Sequence, residues 1–148
     1  MKLFHCQNCG QVLFFENAIC GNCGATLGYL PDLFDLSALQ GTTDAGPLPA
    51  LGDPQGRLWR ACANRASGTC NWMLPADDPH DLCPACRLNR TIPDLSQVEN
   101  VELWGLLEQA KRRLVYGLNR LGLPAPDRHS DPQKGLAFDF LDRDAPNP

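Results

Sequence analysis

Eight cysteines stand within the first 86 residues of a 148-residue chain, in two groups of four. The first group, Cys6, Cys9, Cys20 and Cys23, lies in "FHCQNCGQVLFFENAICGNCG" with the spacing C-x2-C-x10-C-x2-C. Two residues between thiolates let one tight turn present both sulfurs about 3.5 to 4 Å apart, as two vertices of a tetrahedron with metal–sulfur bonds of about 2.3 Å. A second such turn fills the remaining vertices. No position is then left for water or substrate, so the metal is structural rather than catalytic. Zinc is the favoured ion, iron in a rubredoxin-like site is the alternative, and a disulfide or redox pair stands behind both. His5 reads as a surface residue or as a neighbour to the ligands, since four thiols already complete the shell.

The second group is Cys62, Cys70, Cys83 and Cys86, spaced C-x7-C-x12-C-x2-C. Cys83 and Cys86 form a regular knuckle, whereas Cys62 and Cys70 must come from separate ends of a loop. Closure by all four cysteines is the favoured ligand set, and a competing set places His80 where Cys62 or Cys70 would stand. The expectation is two structural zinc ions, with iron as the alternative.

Other chemistry is absent from the sequence. It contains no HExxH, no Gly-rich phosphate loop and no GxSxG, and its three histidines are too few for a triad with plausible partners. Asp77, Asp78 and Asp81 in "PADDPHD" read as a solvated turn. The formal net charge is −4, and two ions each held by four thiolates add about −2 apiece. That disfavours a general nucleic-acid binder. Charge is uneven, however, so Arg57, Arg60, Arg65, Arg87 and Arg90 near the second group leave a nucleic-acid-binding ribbon as a second reading.

The elements that must position these thiols are short. Thirteen Gly and thirteen Pro predict much turn and linker, and a chain of small units needs staples of this kind. Residues 1–30 read as a zinc ribbon, with Gly10 and Gly24 at positive φ after each knuckle. Residues 31–56 read as a linker and residues 57–93 as a second, ribbon-like unit. Trp59, Trp72 and Trp104 read as anchors of small cores. Residues 94–123 carry apolar residues at helical spacing from Val98 to Leu121, with Ser96 and Glu99 as a capping box and Gly122 with Pro124 as the stop. On this helix Glu108 and Arg112 form a favourable i,i+4 pair, and Lys111, Arg112 and Arg113 read as a solvated face. Residues 124–148 read as a largely irregular tail. Within it, Leu136, Phe138 and Phe140 alternate as a strand that adds to a sheet edge. The fold class is thus small α+β and metal-stabilised, and the absence of a signal-peptide h-region or a long apolar run predicts a cytoplasmic protein with no membrane span.

The segments "KLFHCQNCGQVLFFEN", "LGYLPD", "CNWMLPADD", "CRLNRTIPDLS", "KRRLVYGLNRLGLP" and "GLAFDFL" resemble the N-terminal part of bacterial zinc-binding metallopeptidases that begin with a zinc-ribbon domain. The resemblance implies that Cys6, Cys9, Cys20 and Cys23 are ribbon ligands. It also implies that the catalytic HExxH-type region lies beyond the GLAFDFL-like segment. These 148 residues are therefore expected to be a non-catalytic zinc module, not an enzyme, whose partner is the catalytic region or another protein.

Overall fold

The chain was analysed as a computed structural model that describes residues 2–142. Among those residues it is a small α+β protein of nine short strands and one α-helix. The strands are β1 (Phe4–His5), β2 (Val12–Leu13), β3 (Leu27–Leu30), β4 (Asp35–Ala38), β5 (Leu48–Pro49), β6 (Leu58–Ala61), β7 (Met73–Pro75), β8 (Asn89–Thr91) and β9 (Phe138–Asp139). The helix, α1, spans Val98–Arg120. Two compact units divide the chain: residues 1–65 with 71–83, and residues 66–70 with 84–148. No helix among the described residues is long and apolar enough to cross a membrane.

In the first unit β1 pairs with β2, β3 with β4, and β5, β6 and β7 form an antiparallel three-stranded sheet. Alternation along the run after the first knuckle explains the local geometry: Leu13 and Phe15 are buried while Val12 and Phe14 are exposed. Phe15 packs edge-on against Tyr29 at 4.8 Å between ring centroids, and Tyr29 lies 4.7 Å from Trp72. Beside this aromatic group, Leu30, Leu39, Leu48, Ala50, Trp59 and Met73 form one buried cluster. Trp59, Trp72 and Trp104 are all buried, as core anchors should be.

Residues 31–56 are not a linker. They hold β4 and β5, and Leu36, Ser37 and Ala38 are fully buried. Composition misleads here because the sheet strands are two to four residues long, so the Gly and Pro of the turns between them outweigh the strands themselves. Asp53 shows how tightly this stretch is tied. Its carboxylate accepts hydrogen bonds from the Gln55 N–H, the Arg57 guanidinium and the Trp59 indole, each at 2.9 Å.

In the second unit β9 pairs in parallel with β8, and the two form a sheet of their own rather than an extension of another sheet. Helix α1 ends where Gly122 reaches φ +68°. The Gly122 N–H bonds the Asn119 carbonyl at 3.1 Å and the Leu123 N–H bonds the Leu118 carbonyl at 2.9 Å, the paired bonds of a Schellman stop. The start differs from expectation. Gln97, not Ser96, is the N-cap, and no side chain caps it. Ser96 is held elsewhere, because both its N–H and its hydroxyl bond the Asp94 carboxylate at 2.9 Å. The last six residues of the predicted tail, 143–148, lie outside the described residues.

Candidate metal centres

The two knuckles of the first group repeat each other bond for bond. The Cys6 N–H bonds the Gln11 carbonyl and the Gly10 N–H bonds the Cys6 carbonyl, both at 2.8 Å; Cys20, Ala25 and Gly24 repeat the pattern at 2.9 Å. Gly10 and Gly24 adopt φ +75° and +71°, which closes each turn without a Cβ penalty. Gln7, inside the first knuckle, docks on β4: its Oε1 accepts from the Ala38 N–H at 2.7 Å and its Nε2 donates to the Leu36 carbonyl at 3.1 Å.

The four sulfurs of this group lie within 4.8 Å of one another, and the Cys6–Cys23 and Cys9–Cys20 separations are both 3.7 Å. A tetrahedron with metal–sulfur bonds of about 2.3 Å has edges of about 3.8 Å. The donor set therefore fits one tetrahedral ion, and none of the eight cysteines is joined in a disulfide. His5 is exposed.

The thiols differ in their acidity. Burial pushes Cys6 up to about 11. Cys23 is drawn down to about 6 by the Asn8 side chain and the Ala25 N–H. Cys9 is lowered chiefly by the Asn22 side chain, then by the Gln11 N–H. Each knuckle thus lends its asparagine to an exposed cysteine of the other, a reciprocal support that favours the thiolate form a metal needs. Sequence reasoning overlooked Asn8 and Asn22, although "QNC" and "GNC" place asparagine identically in both knuckles.

In the second group Cys62, Cys70, Cys83 and Cys86 are all buried, and their sulfurs also lie within 4.8 Å of one another. The Cys83 N–H points at the Cys62 sulfur at 3.4 Å, the kind of N–H···S contact that steadies a thiolate. His80 is exposed, with its N–H on the Asp78 carboxylate at 2.8 Å. Four thiolates again suit a tetrahedral zinc or iron centre.

Helix α1 corrects two expectations. Lys111 and Arg112 are not solvated; they are 4% and 5% exposed, and of the three basic residues only Arg113 is exposed. Glu108 pairs with Lys111 at 2.6 Å rather than with Arg112, whose guanidinium instead bonds the carbonyl of Thr69, next to Cys70. Glu108 is itself fully buried, accepts from the Asn89 side chain at 2.8 Å, and lies 3.7 Å from the Cys86 sulfur. Burial pushes its carboxyl above the ordinary range and the charge of Cys86 adds to that, against the pull of Lys111. Nothing in the spacing announced this face, because the charges sit where a core would carry apolar residues.

The arginines of the nucleic-acid reading are engaged within the fold. Arg57 bonds Asp53 at 2.9 Å, Arg60 pairs with Asp81 at 3.4 Å, and Arg65 bonds the Leu27 carbonyl at 3.0 Å. Arg87 pairs with Asp127 at 3.6 Å, and Arg90 with Asp139.

Comparison with known proteins agrees with this geometry. A family model described as a zinc-ribbon domain matches residues 3–97, and one described as "Putative zinc-binding metallo-peptidase" matches residues 100–148. An uncharacterized protein of Mycobacterium bovis and two of Mycobacterium tuberculosis strains are each 36% identical over 141 residues. The alignment covers 95% of this chain and 37% of each relative, so the chain spans well under half the length of the curated proteins it matches. No solved structure gives a significant match. With its first four-cysteine cluster and most of its length inside the matched region, the chain belongs to the zinc-ribbon domain family.

Proposed function

We propose that this chain is a non-catalytic module that binds two structural zinc ions and serves as the accessory region of a zinc metallopeptidase. The observation that carries the reading is the pair of complete four-sulfur donor sets. Each can satisfy one tetrahedral ion with no vertex left for water, so neither is suited to activate one. The test is elemental analysis of the purified chain with a peptide-hydrolysis assay. Two zinc ions per chain and no zinc-dependent hydrolysis are expected. One zinc per chain removes half of the proposal, hydrolysis by these 148 residues removes the non-catalytic part, and a red protein with ferric-thiolate absorption replaces zinc by iron.

The accessory role draws its support from the open side of α1. Leu103, Leu106, Leu107, Leu114 and Leu121 are exposed there. Leu103, Trp104 and Leu107 line a groove of about 460 Å³ with Pro93, Phe140 and Leu141. An apolar face of this kind marks an interaction surface. We assign it to the peptidase region of the longer polypeptide, because the metallopeptidase match over residues 100–148 contains nearly all of this surface. In a full-length relative, glutamates at the two positions aligned with Leu103 and Leu107 should expose the following region to limited proteolysis. An unchanged cleavage pattern would assign the face to another partner. The engaged arginines speak against the nucleic-acid reading, and salt-sensitive DNA or RNA binding abolished by Arg87→Glu with Arg90→Glu would revive it.

A further inference from the structure

Glu108 and Lys111 stand one helical turn apart on α1, 0% and 4% exposed, with Nζ 2.6 Å from Oε1. Asn89 joins them from three residues beyond Cys86: its amide donates to Glu108 Oε1 at 2.8 Å and its carbonyl oxygen accepts from Lys111. The other carboxylate oxygen, Oε2, lies 3.7 Å from the Cys86 sulfur. Lys111 also faces the rings of Phe138 and Phe140, at 5.9 and 5.4 Å from their centroids.

A buried ion pair seldom improves stability over apolar side chains of the same volume, and this one is placed against a candidate metal ligand. Four thiolates around a divalent ion leave a net charge of about −2. A carboxylate beside one of those thiolates adds repulsion and loosens it. The Lys111 ammonium is positioned to offset that charge, with the aromatic faces and Asn89 completing its surroundings.

We propose that Glu108 and Lys111 set the zinc affinity of the Cys62–Cys70–Cys83–Cys86 cluster with opposite signs: Glu108 weakens the hold of Cys86, and Lys111 restores it. The inference rests on the reading that this cluster holds zinc. A pair that merely fills space makes a different prediction, since either substitution then lowers fold stability and neither moves zinc affinity in its own direction.

The experiment is competition of the zinc-loaded chain against a chromophoric chelator, with the second site identified as the step lost in Cys86→Ser. Lys111→Met is expected to weaken that step by about 10- to 100-fold, and Glu108→Gln to tighten it by about tenfold or more. Gln keeps the bonds to Asn89 and Lys111 and can donate an N–H to the sulfur. Lys111→Arg, which keeps the charge, should stay near wild type, and the step belonging to the first site should not move. Equal affinity in Lys111→Met and wild type, or a shift of both variants in one direction, overturns the proposal. Should Lys111→Met fail to fold, Glu108→Gln decides, because a second site that does not tighten refutes the role of its charge. A wild-type chain with one zinc step would overturn the two-zinc reading itself, an outcome distinct from two steps that ignore Glu108 and Lys111.

Discussion

Arg112 and Arg113 are neighbours with the same side chain, and the structure predicts opposite consequences for losing them. Arg112 is 5% exposed, and its guanidinium donates to the Thr69 carbonyl in the loop that carries Cys70. Arg112→Met keeps the aliphatic stem and removes only the charged donor, leaving that carbonyl without this bond. Hydrogen bonds to charged groups contribute about 1.5 to 3 kcal/mol, so a loss of about 2 kcal/mol is expected. Arg112→Ala also removes the buried stem, and at about 0.8 kcal/mol per buried methylene the loss grows toward about 4 kcal/mol. Arg113 is exposed, and surface substitutions of this kind stay within about 0.5 kcal/mol. Thermal unfolding in excess zinc reads the series: about 2 to 4 °C per kcal/mol for a chain of this size gives a Tm drop of about 4 to 8 °C for Arg112→Met and about twice that for Arg112→Ala. Arg113→Ala destabilising as much as Arg112→Met, or Arg112→Met within 1 °C of wild type, would refute the buried-anchor argument.

Three further outcomes follow from single contacts. Asn8 and the Ala25 N–H draw the Cys23 thiol down to about 6, so on acid titration of the zinc-loaded chain Asn8→Ala should release the first-site zinc to a chromophoric chelator at a higher pH than wild type. The Asp53 carboxyl is held below its ordinary range: burial alone would raise it, but the Gln55 N–H, Arg57 and Trp59 together prevail. Its contribution is therefore complete above the unfolded value near about 4 and is lost as pH falls through the lower folded value, so Asp53→Asn should flatten the acid end of the stability–pH curve below about pH 4. Gly28→Ala on β3 would drive a Cβ into Met73 Cγ and to 2.7 Å from its sulfur. Overpacking of this kind costs about 1 to 3 kcal/mol, measurable by denaturant titration, and Met73→Ala should relieve part of it.

The clustering of the first four sulfurs was the most legible feature, because C-x2-C pairs followed by glycine encode a local turn that needs no knowledge of the rest of the chain. The same holds for the end of α1, where Gly122 makes the stop in its own vicinity. What the sequence concealed depends on distant partners. Ser96 reads as a cap until Asp94 takes both its donors. Leu36 and Ala38 read as linker until β3 pairs with them, and nothing around Asn71 signals that its amide donates to the Phe15 carbonyl at 2.7 Å, 56 positions away. Strands of two to four residues carry too few side chains for alternation to declare them.

Helix α1 inverts the usual reading of an amphipathic helix, and the inversion can be tested on the leucines. Periodicity finds an apolar stripe and assigns it to the core. Here the inward face carries Trp104, Glu108, Lys111, Arg112, Val115 and Tyr116, while Leu103, Leu107 and Leu114 face outward at 60%, 52% and 48% exposure. Charged side chains on the inward face are tolerable because each has a polar counterpart within its own unit: Glu108 and Lys111 share Asn89, and Arg112 reaches Thr69. The leucines have no such compensation, and burying the half of these three side chains that is still exposed would be worth about 2 to 5 kcal/mol of transfer free energy. If that gain is realised against another surface, it is absent from the stability of these 148 residues. Leu103→Ser, Leu107→Ser and Leu114→Ser should each shift the Tm of the zinc-loaded chain by no more than about 2 °C. A drop of 6 °C or more for any one of them would mean that the chain itself covers that face, and the assignment of α1 as a docking surface would fall.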